Sequence, residues 1–155
     1  MIGTPPGFEV HHGTKPANRL AVDGWDLVPR QYIQFGDLRF QGKDLTVVVE
    51  VESGGGVGNL VKYWPLLRGS LGETPFYLMH LFQVASENDY IAHRKLWEFL
   101  RERMQADLDA HHRPWGSAWL AEIGTYWRTS IDADLERHAA VVRRVLAHGL
   151  DGNSP

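Results

Sequence analysis

Leu45-Thr46-Val47-Val48-Val49-Glu50-Val51-Glu52 is the stretch on which the fold of this chain turns. Branching at Cβ crowds a helix but suits a pleated strand, and a nearly continuous apolar run marks a strand covered on both faces. Upstream, Gln41-Gly42-Lys43-Asp44 has turn chemistry, and Gln31 to Phe40 alternates through Tyr32, Ile33, Phe35, Leu38 and Phe40, interrupted by Gly36 and Asp37. The two runs predict a hairpin ending in a central strand. Downstream, Gly54-Gly55-Gly56 ends the strand, and Asn59 to Leu67 places Leu60, Tyr63, Trp64 and Leu67 at helical spacing, with Pro65 expected to kink or shorten that helix.

Further along, Phe76 to Val84 reads as another strand. Ser86, with Asp89 three residues later, resembles an N-cap, and Tyr90, Trp97, Leu100, Met104 and Leu108 trace one face of a long helix reaching about residue 109. His111 to Gly116 reads as a loop, and Ala118 to Trp127 suits either strand or helix. Ser130 to Gly149 predicts a second amphipathic helix with Ile131, Leu135, Val142 and Leu146 on its apolar face and Gly149 as C-cap. Residues 1–30 carry four of the eight prolines and no helical period, so they read as an irregular arm anchored by Trp25, Leu27 and Val28. The expected fold is α/β, a mixed β-sheet built from the hairpin plus further strands and flanked by helices. It forms a single domain over 1–155, with the arm at 1–30, a core at 31–109 and a helical extension at 110–150.

A length of 155 residues allows one sizeable core, and 43% hydrophobic with 23% charged residues is a globular composition. The lack of cysteine excludes disulfides, thiolate metal sites and cysteine nucleophiles, leaving oxygen or imidazole ligands for any metal. Residues 1–13 have no apolar leader core, and no window nears the roughly 18 apolar residues of a spanning helix. The expectation is a cytoplasmic protein without membrane contact. A net charge of -3 gives no global positive field to advertise a polyanionic partner.

Chemistry concentrates at the end of the Val-rich run. Glu50 and Glu52 are two residues apart, so in a strand both carboxylates point to one face, a costly arrangement unless a cation, a base or solvent compensates it. Twelve residues separate Asp37 from Glu50, and the turn at Gly42 to Asp44 brings the two strands alongside each other, so three carboxylates are expected near one point. Hard divalent cations favour such oxygen clusters, Mg²⁺ being held at about 2.0–2.1 Å by one or two carboxylates, waters and phosphate oxygens. Lys62, in the helix after the glycine loop, can return over the strand end.

Asp37, then Glu50-Val51-Glu52 closing a hairpin, then Asn59-Leu60-Val61-Lys62-Tyr63-Trp64 in the next helix resembles the PD-(D/E)xK, or restriction-endonuclease-like, nuclease superfamily. The likeness spans about residues 31–109, where hairpin, strand, helix, strand and helix follow the order of that family's core. It implies Asp37 and Glu50 as ligands of Mg²⁺ or Mn²⁺, with the Val51 carbonyl and Glu52 as further ligands, Glu52 alternatively acting as general base. Glu52 stands where the family usually has Lys, and the resemblance gives that part to Lys62, which would steady the attacking water. The implied function is endonuclease or phosphodiesterase action on nucleic acid, DNA first, with a homodimer paired through helix faces as one arrangement. The competing reading is a catalytically inactive binding module on the same fold.

Other features read more plainly. The glycine run lacks a phosphate-loop pattern and serves as a connector. His11-His12 and His111-His112 lack the spacing of a helical metal site, and His80, in an apolar strand, reads as a hydrogen-bonded core residue. Arg94-Lys95 and Arg143-Arg144 fit exposed helix faces, and the tryptophans fit the core.

Overall fold

Alternation of side chains across one sheet sorts the apolar residues into two cores. The computed structural model describes residues 4–13, 15–20, 33–52, 57–84, 91–113 and 115–123. In chain order its strands are β1 (Glu9–His12), β2 (Arg19–Leu20), β3 (Ile33–Gln34), β4 (Leu38–Gln41), β5 (Thr46–Glu52), β6 (Phe76–Val84) and β7 (Trp115–Ile123), and its helices are α1 (Gly58–Val61), α2 (Tyr63–Arg68) and α3 (Ile91–Ala110). Single 3-10 turns occupy Pro16–Asn18 and Ser70–Glu73.

Five strands form one mixed sheet in the order β1-β4-β5-β6-β7, while β2 and β3 pair separately. β1, β4 and β5 run antiparallel to their neighbours, and β5, β6 and β7 run parallel. This arrangement follows from the connections: a tight turn, closed by Gly42 N–H donating to the Leu45 carbonyl (2.9 Å), joins β4 to β5. A helical crossover is what a parallel neighbour requires, and α1–α2 supplies it before β6.

One sheet face carries Leu38, Phe40, Val47, Val49 and Met79, covered by Phe8 and Val10. The other carries Val48, Phe76 and Leu78 and packs against Leu60, Tyr63, Leu67, Trp97, Met104 and Leu108 from the helices. Period two in β5 and period 3.6 in α3 thus meet in a single layer contact. Trp64 Nε1–H donates to Asp107 Oδ2 at 2.7 Å and fastens α2 to α3. Trp64→Phe keeps an aromatic side chain but removes that donor and part of the packing, so a loss of about 1 kcal/mol or more in urea unfolding is expected.

The α/β class and the mixed sheet agree with expectation, and several boundaries move. Glu9–His12, inside the expected irregular arm, is a strand paired with β4; four residues are too few for alternation to stand out, and backbone pairing holds them. Gln31 to Phe40 is not one strand, because Gly36 with φ +36° separates β3 from β4. The helix over 59–67 is interrupted at Lys62, as the expected effect of Pro65 requires: proline has no N–H for the Val61 carbonyl four residues back, and its ring crowds that carbonyl. Trp115–Ile123 settles residues 118–123 of the ambiguous segment as strand, beginning inside the expected loop, and its pairing with β6 carries the sheet past residue 109; residues 124–127 lie outside the described residues. The N-cap at Ser86, the helix over 130–149 and the anchors Trp25, Leu27 and Val28 lie outside the described residues. Among the described residues no helix is long and apolar enough to cross a membrane.

Candidate functional site

Asp37 is held by the break that precedes it. Its N–H donates to the Val49 carbonyl (2.8 Å), its carbonyl accepts from Gly13 N–H (3.0 Å), and its Oδ2 accepts from Val51 N–H (2.8 Å). The aspartate therefore bonds to the residues on both sides of Glu50, while its own side chain stays exposed. Gly36 permits this geometry. A Cβ there would lie 2.5 Å from Val48 Cγ1 and 2.6 Å from the Val49 oxygen, so the backbone approaches β5 more closely than any side chain allows.

Glu50 shares a face with Val48 and points under the helices, where it is only 4% exposed. Burial drives its pKa above the usual carboxylate value, the Lys62 charge and hydrogen bonds from Lys62 and Tyr63 oppose that rise, and the Asp37 charge adds to it. The Tyr63 hydroxyl donates to Glu50 Oε1 at 2.6 Å and accepts from Gly36 N–H at 2.9 Å, tying the carboxylate to the turn that carries Asp37. Burial, then the Glu50 charge, holds the Tyr63 phenol well above its usual value, so it stays a donor. Lys62 Nζ pairs with the same Oε1. It also donates to Asn59 Oδ1 (3.3 Å), whose Nδ2 donates to Glu52 Oε2 (3.3 Å).

Beside Glu50 on the same sheet face lies His80, its partner across the β5–β6 ladder, fully buried. Trp97 Nε1–H donates to His80 Nδ1 at 3.0 Å, which assigns the ring proton to Nε2. Burial and then the nearby Lys62 charge lower the His80 pKa to about 3, so the imidazole is neutral at physiological pH.

The turn thus brings Asp37, Glu50 and Lys62 together. Glu52 is drawn to Asn59, and among the described residues no three carboxylates or histidines stand close enough together to hold a metal ion, so the expected three-carboxylate cluster is not assembled. Val51 uses its N–H on Asp37 and packs its side chain against the core on the far face of the sheet. Two members of the network were not singled out in the sequence, Asn59 and the Tyr63 hydroxyl. The second had a signal, because a tyrosine on an apolar helix face brings a hydroxyl that needs a partner when buried.

Comparison of the chain with protein-family models, with curated proteins and with solved structures finds no match. The chemistry is therefore read from the residues themselves.

Proposed function

We propose that this chain is a Mg²⁺- or Mn²⁺-dependent phosphodiesterase of the nuclease class, acting on nucleic acid, DNA first, with Asp37, Glu50, Glu52 and Lys62 as its working residues. The observation that carries the reading is the locked Asp37 beside a buried Glu50 that bonds Lys62. A carboxylate that burial disfavours, an exposed one fixed by backbone N–H, and an ammonium reaching the first are hard to explain as surface solvation. Support also comes from the order of elements, an antiparallel hairpin followed by a crossover to a parallel strand, which is that of a PD-(D/E)xK core.

The donor set fits a hard cation with few protein ligands. Mg²⁺ commonly takes one or two carboxylates and completes its shell with water and phosphate. Among the described residues Asp37 has only Oδ2 engaged and both partners of Glu50 take Oε1, which leaves one oxygen on each acid there. Asp37 and Glu50 hold the ion in this reading, with the Val51 carbonyl beside them. The ion when bound supplies a water of lowered pKa and positive charge for phosphate, which a chain of net charge -3 otherwise repels. Glu52 accepts the proton of the attacking water, and Lys62, steadied by Asn59, faces the charge that develops on the phosphoryl oxygens. Tyr63 keeps the Glu50 carboxylate aimed.

Glu50→Gln preserves shape and removes the charge. Cleavage of DNA or RNA with Mn²⁺ should fall by at least about 100-fold, the scale of losing several kcal/mol of transition-state charge stabilisation. Equal residual cleavage by wild type and variant would remove the proposal. One observation favours the second reading, a non-enzymatic binding module: Lys62 already neutralises Glu50. Calorimetry showing no Mn²⁺ binding by the wild-type chain would select that module.

A further inference from the structure

Asn18 lies in the segment read as an arm, yet it is fully buried, with 0% of its surface exposed. Its side-chain Nδ2 donates to the carbonyls of Phe35 (2.5 Å), Gly36 (3.2 Å) and Gly13 (2.9 Å). Its backbone carbonyl accepts from Phe35 N–H at 3.0 Å. Two consecutive peptide groups are therefore gripped at both ends. In the first, Asn18 binds the Phe35 oxygen and Tyr63 the Gly36 N–H; in the second, Asn18 and Gln34 bind the Gly36 oxygen and Val49 accepts from the Asp37 N–H. The two N–H groups of the amide serve three carbonyls, so one of them is shared between two acceptors; a carboxylate there would meet lone pairs. The amide oxygen, by contrast, finds no partner among the described residues.

We infer that Asn18 is a positioning residue for Asp37: it locks the Phe35-Gly36-Asp37 backbone so that the Asp37 carboxylate is delivered, already ordered, beside Glu50. This inference rests on the reading of Asp37 as a cation ligand. It acts through the backbone and touches no reacting atom. Its consequence is preorganisation: an exposed aspartate on a free turn would lose conformational freedom when it captured a cation, and the clamp makes that loss at folding.

The test compares wild type, Asn18→Ala, Asn18→Asp and Leu108→Ala, the last a core variant on α3 that controls for loss of global stability. Native-state amide exchange is followed at Val51, whose N–H reports the bond to Asp37, and at Val48 in the same strand, and Mn²⁺ affinity is measured by calorimetry. Both Asn18 variants should speed Val51 exchange by about 10-fold relative to Val48 and weaken Mn²⁺ binding by about 10-fold, with Leu108→Ala leaving both ratios at wild-type values. Val51 exchange in the Asn18 variants equal to that in Leu108→Ala would overturn the clamp. So would unchanged Mn²⁺ affinity in the face of faster exchange, since the order would then serve no ligand. A wild-type chain that binds no Mn²⁺ would refute the cation reading and with it the role of Asn18 in serving a ligand, the exchange ratio then judging the clamp alone.

Discussion

Lys62→Met should destabilise the protein by about 3–5 kcal/mol at pH 7, the usual cost of leaving a buried carboxylate without its partner. Glu50 is the group left behind, 4% exposed and, among the described residues, bonded then only by Tyr63. The sign of the pH dependence follows from the direction of its shift. The Glu50 pKa is raised in the folded chain, so the folded state binds more protons than the unfolded one just above the ordinary glutamate value; stability is complete below that value and falls as pH rises through the raised one. Because Lys62 lowers the Glu50 pKa, removing it widens that window and deepens the fall. Urea unfolding from pH 4 to 8 should show the variant losing stability more steeply than wild type, and the double variant Lys62→Met with Glu50→Gln should recover most of the loss. Two parallel curves would mean that Lys62 does not set the Glu50 titration, against their pairing.

Gly36→Ala should cost about 3 kcal/mol or more and abolish cation binding at Asp37. A left-handed φ of +36° disfavours any Cβ by about 1–2 kcal/mol. The larger share is steric, because the new methyl meets Val48 Cγ1 at 2.5 Å and the Val49 oxygen at 2.6 Å. The side chain can yield; the oxygen cannot, since it accepts the Asp37 N–H that sets the turn. Gly36→Ala combined with Val48→Ala should therefore stay defective in Mn²⁺ calorimetry even if circular dichroism shows a recovered fold. Full recovery by the double variant would assign the whole effect to side-chain crowding and leave the turn without its role.

How much of this was legible in the residues depends on the range of the interaction. The Val-rich strand, the hairpin and the apolar face of α3 follow from periods of two and 3.6, and the carboxylates could be singled out because two acids close an apolar run. The companion of Asp37 was readable too, since Gln41 to Asp44 turns the chain back. Other partners were not legible, because they come from distant positions joined only in space: Asn18 to Phe35 and Gly36, Tyr63 to Gly36, Trp97 to His80. His80 illustrates the limit well. Its place in an apolar strand predicted a hydrogen-bonded core histidine, which it is, but only parallel pairing of β5 with β6 reveals that it lies beside Glu50. Glu52 shows the converse: same-face spacing put it beside Glu50, and Asn59, one helix later, holds its carboxylate.

The outer boundary of the sheet has its own consequence. Among the described residues β1 is the last strand on that side; it is four residues long, with Pro5 and Pro6 shortly before it and Glu9, His11 and His12 within it. So short and polar a margin offers a poor template for a strand from another molecule, and prolines deny it amide donors for extension. Edge-to-edge aggregation is thereby discouraged at the place where an unfinished sheet would otherwise invite it.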